Sequence, residues 1–151
     1  MGMSEIWSLG TSTRSLEEFV GLLRVYDIRC LADVRHFPHS ARFPHFDIEG
    51  LQEGLPSAGI EYFWLGEELG GYRKGGCEAY MTTEAFAAGL ARLEALARRC
   101  RTAFACAEKL PWRCHRRFIG DALRARGWTV LHIIEEGRLW EPKGGQPCLS
   151  L

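Results

Sequence analysis

Thr102-Ala103-Phe104-Ala105-Cys106-Ala107-Glu108-Lys109-Leu110-Pro111-Trp112-Arg113-Cys114-His115-Arg116-Arg117 is the stretch that decides the fold of this chain. Residues 102–107 form an apolar run of strand length, and residues 118–126 repeat their apolar members at helical spacing. A buried strand that turns through a short loop into a helix is one unit of a parallel α/β sheet. The loop and helix start hold two thiols, an imidazole, a carboxylate and four cations. Backbone N–H groups and the positive end of the helix face such a loop, which favours an anion or a thiolate there. The helix is expected from about residue 112 to Arg126, with Gly127 as its C-cap.

Working outward, residues 5–9 and 30–34 read as further strands, the second a buried one too short and apolar for a surface helix. Between them Ser15-Leu16-Glu17-Glu18 is a capping box, and the helix it opens puts Leu16, Phe19, Val20 and Leu23 on one face. Pro38 and Pro44 punctuate an irregular stretch over residues 35–47, and residues 48–58 suggest a short helix against which Gly54 and Pro56 count. Residues 60–65 are a strand. The glycine-rich residues 66–76 are expected to be irregular over much of their length. Residues 83–99 give the clearest helix, striped by Phe86, Leu90, Leu93 and Ala97, and residues 129–134 the fifth strand, followed by a turn into a short hairpin. Strand and helix alternate, so the expected fold is α/β: a three-layer sandwich with a mostly parallel central sheet of about five strands and helices on both faces. No repeat or linker divides residues 1–151, which are expected to form one domain.

With 151 residues and 46% apolar composition, the chain can bury a core without staples. Its six cysteines follow no signal peptide, and Cys30, Cys100 and Cys106 border or lie in apolar runs, the pattern of free thiols in a cytoplasmic protein. No apolar run is long enough to span a bilayer, so no membrane partner is expected. Net charge is zero, which removes any global attraction to nucleic acid. Locally, however, Lys109, Arg113, Arg116 and Arg117 face a single Glu108.

In parallel sheets ligands collect beyond the carboxyl ends of the strands. Those ends are residues 10–14, Asp33-Val34-Arg35, residues 66–73 and residues 106–115, and they hold the unusual polar residues of the chain. The chain resembles the domain-of-unknown-function 488 (DUF488) family of prokaryotic proteins over nearly its whole length. The likeness is carried by residues 12–19, Asp33-Val34-Arg35, Pro38 with Ser40, Pro44 and Phe46, Gly59-Ile60-Glu61-Tyr62, Leu69-Gly70-Gly71, Tyr80-Met81, Cys106-Ala107-Glu108 and Cys114-His115-Arg116. The resemblance implies an α/β fold and no established activity. Two departures stand out: Thr11 takes the place where the family has a histidine, and Ala41 stands where an arginine follows Ser40, with Arg42 as the nearest substitute.

Four readings of this site compete. In the first, Ser12, Asp33, Arg35, Ser40, Arg42, Arg73 and Arg116 build a pocket for a small anionic, phosphate-containing ligand or nucleotide. The plain alternative is an ion-pair network in which Asp33 and Glu108 neutralise Arg35 and Arg116. The second reading is catalysis: Cys106 or Cys114 as nucleophile or redox centre, with Glu108 or His115 moving the proton. Neither the C-x5-R spacing of cysteine phosphatases nor a C-x2-C redox motif is present, and buried cysteine is often only a small apolar residue. A third reading ligates zinc or iron through Cys106, Cys114 and His115 with His36, His39 or His45. Adjacent Cys114 and His115 rarely reach one ion together, so no metal ligand is assigned and no cofactor is named. The fourth is a nucleic-acid-binding module, with Arg35, His36, His39, Arg42 and His45 interleaved with Phe37, Phe43 and Phe46. The preferred reading is the anion pocket.

Overall fold

A computed structural model describes residues 4–70 and 77–141. The apolar runs form strands β1 (Glu5–Gly10), β2 (Cys30–Asp33), β3 (Glu61–Trp64), β4 (Thr102–Cys106) and β5 (Thr129–Glu135), which pair in parallel; β6 (Arg138–Trp140) returns antiparallel on β5. The sheet order is β3-β2-β4-β1-β5-β6. The sixth strand is the terminal hairpin, turned at Gly137 with φ 77°.

Strand side chains alternate between two apolar layers, as the pleat requires. On one side Ile6, Ala32, Phe104, Cys106 and Val130 meet α5 (Glu84–Arg99) and α6 (Arg116–Ala125) through Phe86, Leu90, Leu93, Ile119 and Leu123. On the other, Trp7, Leu9, Leu31, Ala103, Ala105 and Ile133 meet α1 (Leu16–Val25) and α2 (Ile48–Ser57) through Phe19, Leu22, Leu23, Leu51 and Leu55. The result is the expected three-layer α/β sandwich. Among the described residues no helix is long and apolar enough to cross a membrane.

Local chemistry explains where the helices begin and end. Ser15 caps α1 through the reciprocal bonds of its capping box, and the Thr83 hydroxyl accepts from Phe86 N–H to start α5. Pro56 does not stop α2, because it stands in the last turn, where few carbonyls remain to be paired. The glycine-rich segment opens with one helical turn, α3 (Gly66–Leu69), and another, α4 (Cys77–Tyr80), follows it. Arg73 lies outside the described residues. The last helix departs from expectation. Residues Pro111–Arg113 form a 3-10 turn, Cys114 is extended (φ −143°, ψ 155°), and α6 begins only at Arg116. Trp112 packs on Trp140 of the hairpin, ring centroids 5.3 Å apart.

Topology places a crevice between β1 and β4. From β1 the chain crosses under α1 to β2, whereas from β4 it crosses over α6, on the opposite face, to β5. Helices that leave adjacent strands in opposite directions open a gap at the carboxyl ends of those strands. The gap is closed at its base by backbone: Thr11 N–H donates to Cys106 O at 2.8 Å and Ser12 N–H to Ala107 O at 2.9 Å. A Cβ on Gly10 would overlap the Glu108 carbonyl, so this approach requires glycine. Gly10→Ala is therefore expected to cost about 1–3 kcal/mol, read as a lower urea midpoint at unchanged slope. A midpoint equal to that of the parent would show that the 106–109 loop yields freely.

Candidate functional site

Both cysteines of the quoted stretch reach the crevice. Cys106 ends β4 with its side chain in the α5/α6 layer. The extended backbone of Cys114 turns its thiol back toward the sheet instead of continuing the 3-10 turn. The two sulfurs stand 2.6 Å apart, well inside van der Waals contact. His115 Nδ1 is 3.4 Å from Cys114 Sγ, while its Nε2 lies 2.9 Å from Val34 O. A carbonyl only accepts, so Nε2 carries the hydrogen and Nδ1 is the nitrogen turned to the sulfur.

Arg116 lies beneath this pair with none of its surface exposed. Its Nε donates to Cys106 Sγ at 3.0 Å, Nη1 to Ser8 Oγ at 2.8 Å, and Nη2 to the carbonyls of Glu108 and Lys109 at 2.6 and 3.2 Å. Its backbone N–H points at Cys114 Sγ, 3.4 Å away. Among the described residues no carboxylate pairs with Arg116. The Ser8 hydroxyl also shares a short hydrogen bond with His132 Nδ1 on β5. Burial, followed by the charges of Arg116 and Arg124, pushes His132 down to about 3, so this imidazole is neutral. Ser8 and His132 escape the sequence reading, although each is a polar residue in a strand whose neighbours are apolar.

Asp33 and Arg35 form a separate buried unit. The Asp33 carboxylate accepts from Arg35 N, Nε and Nη2 at 3.1, 2.9 and 2.7 Å and from the Tyr62 hydroxyl at 2.6 Å. Burial and the neighbouring Asp33 charge push the Tyr62 phenol above its ordinary range. Arg35 Nη1 makes no hydrogen bond among the described residues.

Above these groups a cavity of about 820 Å³ opens at the carboxyl rim of the sheet. Thr11, Ser12, Thr13, Arg35, His36, Phe37, His39, Ser40, Phe43, Cys106, Glu108, Lys109, Arg113, Cys114 and His115 line it. Thus Ser12, Arg35, Ser40, Cys106, Glu108, Cys114 and His115 come together from three strand ends. Ser12 holds a left-handed backbone, φ 52°, at the lip. The other candidates lie elsewhere. Asp33 and Arg116 sit below the lining, and Arg42 is exposed, its guanidinium 5.4 Å from the Phe43 ring centroid. The Ser40 hydroxyl accepts from Phe43 N–H at 3.1 Å, and Glu108 Oε2 from Leu110 N–H at 3.1 Å, so both also shape their loops.

The thiols differ in acidity. Cys114 is pulled down to about 7, chiefly by its hydrogen bond with Cys106, with burial opposing and the Arg116 charge and N–H assisting. Cys106 is held well above the ordinary thiol range by burial and then by the bond to Cys114. The ligand-type atoms of Cys106, Cys114 and His115 lie within 4.8 Å of one another, so adjacency in sequence does not keep Cys114 and His115 apart. A second cluster, Cys30 with Glu61 and Cys100, lies at the opposite end of the strands; there burial, then Cys100, pushes Cys30 up to about 12. The thiolate is the nucleophile, and its fraction rises as pH passes upward through the thiol pKa. Alkylation of Cys114 by iodoacetamide is thus expected to reach half its limiting rate near pH 7, with Cys30 unreacted. A midpoint near the free-thiol value of about 8.5, mapped to Cys114 by mass spectrometry, would contradict this environment.

No curated protein and no solved structure matches the chain. The model of the family described as Domain of unknown function DUF488 matches residues 15–123. That span runs from the capping serine of α1 to the last buried leucine of α6 and takes in Asp33, Arg35, Cys106 and the Cys114-His115-Arg116 triplet. It covers well over half of the sequence, and the chain belongs to the DUF488 family.

Proposed function

We propose that the cavity at the carboxyl rim of the sheet binds a small anionic ligand, phosphate-containing in the first instance. The observation that carries this reading is the charge of the lining. Lys109 and Arg113 bring cationic side chains to the cavity, Arg35 adds a directed N–H donor, and His36, His39 and His115 add imidazoles, while Glu108 is the one carboxylate among the described lining residues. Ser12 and Thr13 add hydroxyl donors, and cations around a concave surface focus their field on what enters it. Arg35 contributes through Nη1, since its other nitrogens hold Asp33. Lys109 is half-exposed and 3.2 Å from Glu135, and Arg113 is exposed. Lys109 can exchange this surface partner for an incoming anion, and Arg113 can turn toward one, without disturbing the core.

Phe37 supports a second reading. It is 61% exposed and borders the same cavity, a position suited to stacking on a base. A single-stranded nucleic acid would then lay its phosphates along the cationic side.

Calorimetric titration with inorganic phosphate, a nucleoside monophosphate and a short single-stranded oligonucleotide separates these readings. The expected result is saturable binding of phosphate or the monophosphate, weakened about tenfold, or about 1.4 kcal/mol, in the Lys109→Ala/Arg113→Ala variant. Affinity unchanged in that variant overturns the anion pocket. Affinity that grows with oligonucleotide length and falls in Phe37→Ala replaces it with the nucleic-acid module.

A further inference from the structure

We propose that Cys106 and Cys114 form a redox-active dithiol that closes to an intramolecular disulfide by reducing a small anionic disulfide in the cavity, with Arg116 as the positioning residue of the pair. The anionic class of the substrate rests on the function proposed above; the dithiol rests on three observations of its own.

The first is contact. Seven residues separate the cysteines, yet the 3-10 turn and the extended Cys114 bring their sulfurs to 2.6 Å. The second is charge balance. A guanidinium taken wholly out of water needs a counter-charge, and among the described residues Arg116 finds a hydroxyl, two carbonyls and sulfur but no carboxylate. Cys106 and Cys114 are the ionisable acceptors in its reach, so one thiolate shared by the pair balances Arg116. Neutral His132 beyond Ser8 adds no competing cation. The third is access, since both thiols line the cavity although Cys106 is only 3% exposed.

Cys114, the more exposed sulfur, attacks first. Its thiolate bonds to one sulfur of R–S–S–R, the substrate S–S bond breaks, and RS⁻ leaves. Cys106 then attacks Cys114 Sγ, expels the second RS group and yields its proton to it. The pair loses two electrons and becomes a disulfide; the substrate gains them and departs as one thiolate and one thiol. His115 Nδ1, beside Cys114 Sγ while Nε2–H is held by Val34 O, can relay that proton.

A metal on the same atoms fits less well. Two thiolates on one tetrahedral zinc, with bonds of about 2.3 Å, stand roughly 3.8 Å apart, whereas these sulfurs touch. Arg116 already places a positive charge against them.

The test exposes the reduced full-length protein to disulfides of three charges: glutathione disulfide (anionic), bis(2-hydroxyethyl) disulfide (neutral) and cystamine (cationic). Intact-mass measurement and peptide mapping follow the products. The expected result is loss of two hydrogens assigned to a Cys106–Cys114 bridge, formed at least about tenfold faster with glutathione disulfide than with cystamine. Cys106→Ser should stop at a mixed disulfide on Cys114, and Cys114→Ser should not react in the cavity. Arg116→Lys should raise the pH midpoint of Cys114 alkylation while leaving the circular dichroism spectrum unchanged. No bridge with any of the three overturns the dithiol and leaves the anion pocket to its own titration. A bridge formed equally fast with cystamine overturns the anionic substrate class and the pocket reading with it. Stoichiometric zinc in the purified protein whose removal is needed before any bridge forms overturns the proposal in favour of a metal centre.

Discussion

The guanidinium of Arg116 is bonded at once to β1 through Ser8, to the end of β4 through Cys106, and to the loop between β4 and α6 through two carbonyls. Its own backbone N–H reaches Cys114, so the start of α6 and the loop before it are fixed by the same residue. Removing such a charge from water costs several kcal/mol. It is tolerated because all three nitrogens of the planar fork donate, making four hydrogen bonds to a hydroxyl, a sulfur and two carbonyls. A lysine has the charge without the fork, and could not hold Ser8, Cys106 and the loop carbonyls together. The position of the thiol pair, and hence the floor of the cavity, depends on this one side chain.

Topology decides why these groups meet here. Parallel pairing aligns the carboxyl ends of β1, β2 and β4, and the chain reversal between β1 and β4 opens the sheet face at that rim. Gly10 lets the Glu108 carbonyl come against β1, and Gly66 does the same for the Arg35 carbonyl beside Trp64, whose indole N–H donates to that oxygen at 2.8 Å. Two close backbone approaches thus hold the two loops that form the cavity walls. The extended conformation of Cys114 completes the arrangement: a helix begun at residue 112 would have kept this thiol in helical phase instead of turning it to Cys106.

Much of this was legible in the sequence, and the rest was not for physical reasons. Apolar run length and helical periodicity report burial, and burial on both faces is what a parallel strand between helix layers requires. The five parallel strands and the two layers follow from that. Strand ends are therefore readable too, and with them the rim where Ser12, Arg35, Cys106 and Cys114 gather. Partner choice is not readable. Asp33 and Arg35 are two apart and pair, but nothing in the sequence assigns Arg116 to sulfur and carbonyls instead of Glu108. Ser8 and His132 are 124 positions apart and meet because β1 and β5 are neighbours, which depends on strand order. The eight-position separation of the cysteines sets an upper limit on their distance and no lower one; the turn at Pro111 supplies the rest.

The two buried arginines show how similar residues come to opposite electrostatic roles. Arg35 is cancelled within its own unit, since the Asp33 carboxylate takes three of its N–H groups and the Tyr62 hydroxyl completes that shell. What Arg35 offers the cavity is one directed donor and little net charge. Arg116 has no such carboxylate among the described residues, and in the proposed dithiol its counter-charge comes from groups that can lose it: a thiolate disappears on protonation or on forming a disulfide, whereas a carboxylate at neutral pH stays. Structural ion pairs favour the permanent partner. A buried guanidinium held against titratable, oxidisable sulfur instead ties the charge of the cavity floor to the chemical state of two cysteines, and that is why the thiol pair, more than the Asp33–Arg35 pair, reads as the reactive part of the proposed site.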